Sequence, residues 1–244
     1  MKEQKQKDIW IYGDHPVETV LKNKKRMIKE IRVAKDVAGL PTNIPIRRVS
    51  RGELDALLGR EALHQGIAVR CAPLPLFSLD ELIETTQNQD TSVVLLLDQV
   101  TDPHNIGALM RSAVAFGADA VIAPDAGAPE ETGVLAKSAS GALDLIPLIR
   151  VSNLVRAMEQ LKKANYWCVG MDGYAKHSIT EQKLPKKCAL VMGSEGDGMR
   201  RLTAEKCDYL TKLPMSGRME SLNVSNAGAI ALYEWFRLWY SDKK

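Results

Sequence analysis

The sequence predicts an α/β protein in two parts: a small α/β unit in front, then a larger layered domain built on a parallel sheet. Three observations carry this. From Val93 onward, apolar runs of strand length recur: "VVLLLDQV", "ADAVIAP", "DLIPLIRV", "YWCVGMD", "CALVMGS" and "DYLTKLP". Several are continuous rather than alternating, which suits strands buried on both faces of a parallel sheet. Between them lie helix candidates, "NIGALMRSAVAFG", "GVLAKSASGA", "LVRAMEQLKKAN" and "GMRRLTAEKC", and strands alternating with helices give a layered α/β domain.

The front unit, residues 1–70, reads in order as follows. "DIWIYGDHPVETVLKN" is a short strand, a turn at Gly13 and a helix. "IKEIRVAKD" supplies a second strand, and "SRGELDALLG" a helix opened by Ser50, with Glu53 completing a capping box. "HQGIAVRC" is a further strand. Residues 71–91, "CAPLPLFSLDELIETTQNQDT", form a linker whose prolines and polar end flank one short helix. Residues 92–244 are the main domain, without internal repeats or low-complexity tracts.

At 244 residues the chain can bury a sizeable core, and 45% hydrophobic with 26% charged residues excludes a disordered chain. No apolar run approaches ~18 residues, so no membrane span is expected. "MKEQKQKDIW" lacks the apolar core of a signal peptide. Cys71, Cys168, Cys188 and Cys207 are widely spaced with no CxxC, which points to reduced thiols in a cytoplasmic protein and not to a metal site. Net charge is only +3, but residues 1–70 hold 15 Lys and Arg against 9 Asp and Glu, whereas residues 71–244 hold 18 against 21. A basic front on a slightly acidic body fits a partner that is a polyanion, and fits a solvated helix face such as "LKNKKRMIKEIRVAKD" equally well.

Ligands of open parallel sheets gather beyond the carboxyl ends of the strands, and three loops there are dense in polar residues. In "DQVTDPHNIGALMRSA", Asn105 can cap a helix, Gly107 permits close packing and Arg111 lies about two turns along. In "MGSEGDGMRRL", Gly193, Gly196 and Gly198 allow a sharp turn and close approach to a ligand. The spacing is neither GxGxxG nor a phosphate loop, and Glu195 alone reads as a surface carboxylate. In "MSGRMESLNVSNAGAIALYEW", Ser221, Asn223, Ser225 and Asn226 crowd the entrance of a helix whose buried stripe is Val224, Ala227, Gly228, Ala231, Trp235 and Leu238. Capping needs one side-chain oxygen; four polar residues in six positions favour a site.

Together, "DPHNIGALMRSA", "MGSEGDGMRRL" and "LPMSGRMESLNVSNAGAIALYEW" closely resemble the three motifs of the SpoU-type RNA ribose 2′-O-methyltransferases, over roughly Val93 to Leu238. "IYGDHPVETVL" and "HQGIAV" are similar to the small ribosomal-protein-like RNA-binding domain that precedes the catalytic domain in one branch. The resemblance implies a trefoil knot at the C-terminal end of the α/β domain, which sequence physics would not suggest. It implies S-adenosyl-L-methionine as cofactor, held by Gly193, Gly196, Leu213, Ser221 and Leu222, with no metal. The reaction implied is methyl transfer to a ribose 2′-hydroxyl, a guanosine of large-subunit rRNA. A tRNA target and a non-catalytic RNA-binding assembly factor are the alternatives.

The same resemblance gives Arg111 the catalytic centre, with Asn105, Glu195 and Asn223 as its polar neighbours. Two roles for Arg111 are open: a phosphate-assisted base, or a fixed cation that clamps the adjacent phosphate and stabilises the developing alkoxide. The second needs no deprotonated guanidinium. Lys24, Lys25, Arg26, Arg47, Arg48 and Arg51 are the candidate phosphate contacts of the front unit. Family members are dimers. Trp239 and Tyr240 suit such an interface, while Trp235 fits an interface or the core. His104 and His64 are as compatible with local hydrogen bonding as with RNA.

Overall fold

The computed structural model of the chain describes residues 7–127 and 129–240. The front unit is a four-stranded sheet of β1 (Ile9–Tyr12), β2 (Ile28–Val33), β3 (Ile46–Arg48) and β4 (Ile67–Cys71), in the order β1-β4-β2-β3. Its pairs are antiparallel except β2 with β3. The alternation of β2 and β4 puts Ile31, Val33, Ile67 and Val69 under α1 (Asp14–Lys22), which adds Val17 and Val20 to the same core. On the other face, α2 (Arg51–Leu58) lays Leu54 against Tyr12 and Ala68. Ser50 and Glu53 form the expected capping box. Strand β3 is not foreseen from the sequence: its three residues are all exposed, so no hydrophobic period marks it.

The main sheet is wholly parallel. It contains β5 (Ser92–Leu97), β6 (Ala120–Pro124), β7 (Leu148–Val151), β8 (Trp167–Met171), β9 (Lys187–Met192) and β10 (Tyr209–Thr211), ordered β10-β8-β9-β5-β6-β7. Every residue from Val93 to Leu97 is fully buried, which accounts for the unbroken apolar run. Val93, Leu95 and Leu97 point into one helical layer, and Val94 and Leu96 into the other. The first layer holds α4 (Pro103–Ala115), α5 (Gly133–Ala139) and α8 (Val224–Trp239). The second holds α3 (Leu79–Thr86) and α6 (Leu154–Lys163), with α7 (Arg201–Lys206) beside them. Each fully buried leucine here is worth about 1.5–3 kcal/mol relative to exposure. Helix α3 buries Leu79 and Leu82 on the main sheet, with Phe77 packed beside them, so the second half of the expected linker belongs to the core of the main domain.

The chain proceeds from β5 to β6 and β7 on one side, then crosses to build β8, β9 and β10 on the other. The loops leaving adjacent β5 and β9 therefore diverge, opening a crevice at the carboxyl ends of the central strands. None of the helices among the described residues is long and apolar enough to cross a membrane.

The front unit docks on the first helical layer. The Arg26 side chain is fully buried and meets Asp144 through Nε–Oδ1 at 2.7 Å and Glu131 at 2.5 Å. Its Nη1 also donates to the Ala72 carbonyl at 3.1 Å, and Asn23 donates to Asp144 at 2.8 Å. At Gly133 any side chain would strike the Trp10 carbonyl, which lies 2.5 Å from where a Cβ would sit.

Candidate active site

The loop after β9 closes on itself. Ser194 and Gly198 exchange backbone hydrogen bonds at 3.0 and 3.1 Å, forming a tight turn whose Gly196 and Gly198 have φ of 93° and 68°. Gly193 is required for a different reason: a Cβ there would lie 2.2 Å from the Gly198 carbonyl carbon and 2.3 Å from the Met199 nitrogen. Its smallness lets the loop fold against its own backbone before any ligand is considered. Fully buried Asp98, just after β5, anchors the far end by accepting from the Arg200 backbone at 2.8 Å and from Arg200 Nε at 2.7 Å.

Helix α4 begins at Pro103, and its N-cap is Asp102, which accepts from the His104 backbone N–H at 3.0 Å. Asn105 is therefore not the cap, and its amide is left free to bond elsewhere. Gly107 does permit close packing: a Cβ would sit 2.5 Å from Ser138 Cβ of α5. On α8, Gly228 faces Leu109 of α4 with only 2.3 Å to spare for a Cβ. The small residues thus seat α8 chiefly against α4 rather than against the glycine loop, bringing the first turns of both helices together.

The polar crowd meets at that point. Asn223 caps α8 with Oδ1, accepting from Ser225 N at 2.9 Å and Ser225 Oγ at 2.5 Å. The same side chain donates through Nδ2 to Asn105 Oδ1 at 3.0 Å and to Glu195 Oε2 at 3.2 Å. One amide therefore both caps a helix and joins all three loops. Beside it lies a cleft of about 370 Å³ lined by Gly193, Gly196, Leu213, Ser221 and Leu222. Glu195 forms part of its wall, and Ala227 borders it from α8.

The cleft has a fourth side absent from the sequence reading: Asp172, Gly173 and Tyr174, following β8. The pattern "VGMDGYAK" at a strand end carried the signal. Arg111 is not in the cluster. It is exposed on α4, about 9 Å along the axis from Asn105, and makes no hydrogen bond or ion pair among the described residues. His64 holds its own loop, accepting from the Gly66 backbone at 3.0 Å and lying 3.0 Å from Asp55. Trp235 is buried, donating to the Pro185 carbonyl at 3.0 Å, and Trp239 donates to Leu184 at 2.8 Å.

Arg26 has to be removed from the phosphate contacts of the front unit, since burial between Asp144 and Glu131 takes it away from any RNA. Lys24, Lys25, Arg47, Arg48 and Arg51 remain exposed. Arg47 lies 3.4 Å from Glu30, which also meets Arg32 at 2.8 Å and Arg70 at 3.3 Å, and Arg32 covers the Trp10 ring at 4.9 Å. Burial works against the charge of Glu30, but the Arg32 hydrogen bond and the three guanidinium charges hold its carboxyl below the ordinary value. Arg32 and Arg70 were not singled out from sequence because they alternate with core residues along strands; only register brings them beside Arg47.

Comparison with known proteins identifies the family. Residues 92–233 match the SpoU rRNA methylase family, and residues 10–77 match the RNA 2′-O ribose methyltransferase substrate-binding family. The 23S rRNA (guanosine-2′-O-)-methyltransferase RlmB of Pseudomonas putida is 39% identical over 240 residues, covering 93% of this chain and 95% of that protein. The Escherichia coli K12 protein of the same name is 40% identical, covering 93% and 97%. Among solved structures, the SpoU methyltransferase AviRb of Streptomyces viridochromogenes, in complex with AdoMet, superposes with a TM-score of 0.80 at 22% identity, covering 94% of this chain and 89% of that one. With a family model matching residues 92–233 and a relative 39% identical over 93% of the chain, this chain belongs to the SpoU rRNA methylase family.

Proposed function

We propose that this chain transfers the methyl group of S-adenosyl-L-methionine to the ribose 2′-hydroxyl of a guanosine in 23S rRNA. The observation that carries the reading is the Asn223 amide, which ties Asn105 and Glu195 together at the mouth of a glycine-walled cleft. Relatives of similar length that bear this activity in their names support the substrate.

The cleft fits the cofactor. Its volume of about 370 Å³ falls within the usual ~300–1,000 Å³ of small-molecule sites. Leu213, Leu222 and Met192 offer apolar contact, Gly193 and Gly196 expose main-chain groups, and Asp172 and Glu220 suit a ligand carrying positive charge. When bound, the cofactor supplies an electrophilic methyl group on a sulfonium that is already a good leaving group. The protein's task is to orient the acceptor hydroxyl and ease the loss of its proton. Asn105 and Asn223 hold the acceptor side of the cleft in one geometry, and Glu195 accepts from Asn223 to fix the amide's orientation. Ser225 locks Asn223 from behind. Arg111 acts as a fixed cation on the adjacent phosphate.

Exposed Arg111 lies on the first helical layer, where Ile230 and Tyr233 of α8 and its C-cap Tyr240 are also exposed. Phe116 packs edge-on against Tyr233. We assign this face to a homodimer in which Arg111 serves the partner's cleft. After β10 at the sheet edge, the chain returns to the centre so that α8 packs on α4, a path consistent with the family's trefoil knot. The exposed arginines of the front unit position the RNA, and the protein works in the cytoplasm.

The test is methyl transfer from labelled S-adenosyl-L-methionine to separated rRNA and tRNA. Label appears in large-subunit rRNA as 2′-O-methylguanosine, and Arg111→Ala lowers the rate by about 10²–10³. A folded protein that transfers to no RNA contradicts the reading and favours an assembly factor.

A further inference from the structure

A second cavity, of about 360 Å³, lies at the carboxyl ends of β5 and β6 and shares Ser194, Glu195 and Asp197 with the cofactor cleft. The turn after β9 is thus a partition between two chambers. Gln99, Thr101, Pro124, Ala126 and Arg200 complete the second one. Three features distinguish it from an incidental surface hollow. Gln99 is exposed yet held at a φ of 62°, a backbone conformation that non-glycine residues rarely adopt and that concentrates at functional sites. Arg200 is fixed in place by fully buried Asp98, at 2.6 Å from Nη2 to Oδ1, while half of its side chain stays exposed. Asp197 and Gln99 make no side-chain hydrogen bond or ion pair among the described residues, so an acceptor and an amide stand unused in the same wall.

We infer that this chamber receives the base of the target nucleoside and that Asp197 and Gln99 select guanine there. The inference rests on the methyltransferase reading above. A base taken out of its stack is read along its Watson–Crick edge, and a nucleoside whose ribose enters the cofactor cleft carries its base to the neighbouring chamber. Guanine presents N1–H and N2–H₂ donors beside the O6 acceptor. A carboxylate accepts two hydrogen bonds side by side and can donate none, so Asp197 matches the two donors. The Gln99 amide, supported by the Arg200 guanidinium, supplies N–H donors for O6. Adenine offers a bare N1 acceptor at the same place, which the carboxylate repels. Two carboxylates in the wall argue against a phosphate here, leaving the base as the part of the nucleotide that suits this chamber. Glu195, common to both chambers, then stands beside the ribose, between the donor and acceptor sides.

The experiment uses the full chain and a large-subunit rRNA fragment carrying either guanosine or a single inosine at the nucleotide that the wild type methylates. Inosine lacks the N2 amino group. Transfer by the wild type falls roughly 10- to 100-fold on the inosine fragment, the weight of one hydrogen bond to a charged group. Asp197→Asn lowers transfer to guanosine and narrows the guanosine-to-inosine ratio to within about threefold. Gln99→Gly, which relieves the backbone strain while deleting the amide of a residue that does not line the cofactor cleft, lowers kcat/KM for RNA while its dissociation constant for S-adenosyl-L-methionine alone stays at the wild-type value. A wild type that methylates both fragments equally, or an Asp197→Asn variant that keeps the wild-type ratio, overturns the assignment while leaving the methyltransferase reading intact. A wild type that binds no S-adenosyl-L-methionine overturns that reading and this one with it.

Discussion

The cleft and the junction between the two sheets both fix polar side chains in place, by opposite means. At the junction, Arg26 is sealed against Asp144, with side-chain exposures of 0% and 2%. In the cleft, a half-buried amide bridges an amide and an exposed carboxylate at 3.0 and 3.2 Å, with water in reach. A buried ion pair is costly to break and so suits a contact that has only to stay closed. Amide bonds at a solvent-facing mouth are individually weak and can be exchanged for bonds to a ligand. The contrast teaches that residue type alone does not identify a ligand contact. Arg26, the most basic-looking candidate in "KNKKRM", is structural, whereas neutral Asn223 is where the three loops meet.

The largest expected effect is at the junction. Arg26→Met leaves the sealed carboxylate of Asp144 and the partly buried one of Glu131 without their cation and destabilises the protein by about 3–5 kcal/mol, read by chemical denaturation. A loss under ~1 kcal/mol would mean that the junction is open in solution. In the cleft, Asn223→Ala removes both donors and lowers methyl transfer about 10²–10³-fold, while the lost helix cap costs about 0.5–2 kcal/mol of stability. Third, Gly193→Ala forces a methyl into unyielding backbone and costs about 1–3 kcal/mol, together with cofactor affinity. Gly228→Ala meets the end of the Leu109 side chain, which can turn aside, and the helix-propensity gain of ~0.8–1 kcal/mol offsets much of the clash. Equal losses in the two glycine variants would show that the loop is as adaptable as a side chain.

The smallest effect lies outside both regions, at the starts of α2 and α3. Glu53 and Glu81 are held below the ordinary carboxylate value by the backbone N–H groups and hydroxyls of Ser50 and Ser78. A carboxyl depressed on folding contributes stability that is present above its unfolded value, ~4.3, and is lost as pH falls through the folded value. Glu53→Gln with Glu81→Gln keeps the capping-box geometry but removes the titration, so denaturation midpoints fall less steeply between about pH 5 and 3. An unchanged acid slope would assign that loss to other carboxyls.

Much of this architecture was legible in the chain, for physical reasons. A strand buried on both faces must be apolar at every position, which is why "VVLLL" announced the centre of a parallel sheet, and Ser50 with Glu53 announced a helix start. The three motifs marked the loops that converge. What stayed hidden depends on distant partners. Arg26 looked like its lysine neighbours until Asp144, more than 100 positions away, was seen to bury it. Strand β3 has no hydrophobic period because none of its residues is buried. Asp102 outcompeted Asn105 for the N-cap, a choice that sequence leaves open when both are present. The resemblance supplied Arg111, and its place outside the cluster follows from the helical phase between it and Asn105.

The central claim is that Asn223 divides its amide, the oxygen capping α8 and the nitrogen assembling the site. Asn223→Asp separates the two directly, because a carboxylate caps a helix as well as an amide oxygen does yet has no proton to give Asn105 or Glu195. The account predicts a protein with wild-type thermal stability to within about 1 kcal/mol and methyl transfer to rRNA reduced at least ~100-fold. Stability and transfer that fall together, or transfer that survives, would contradict it.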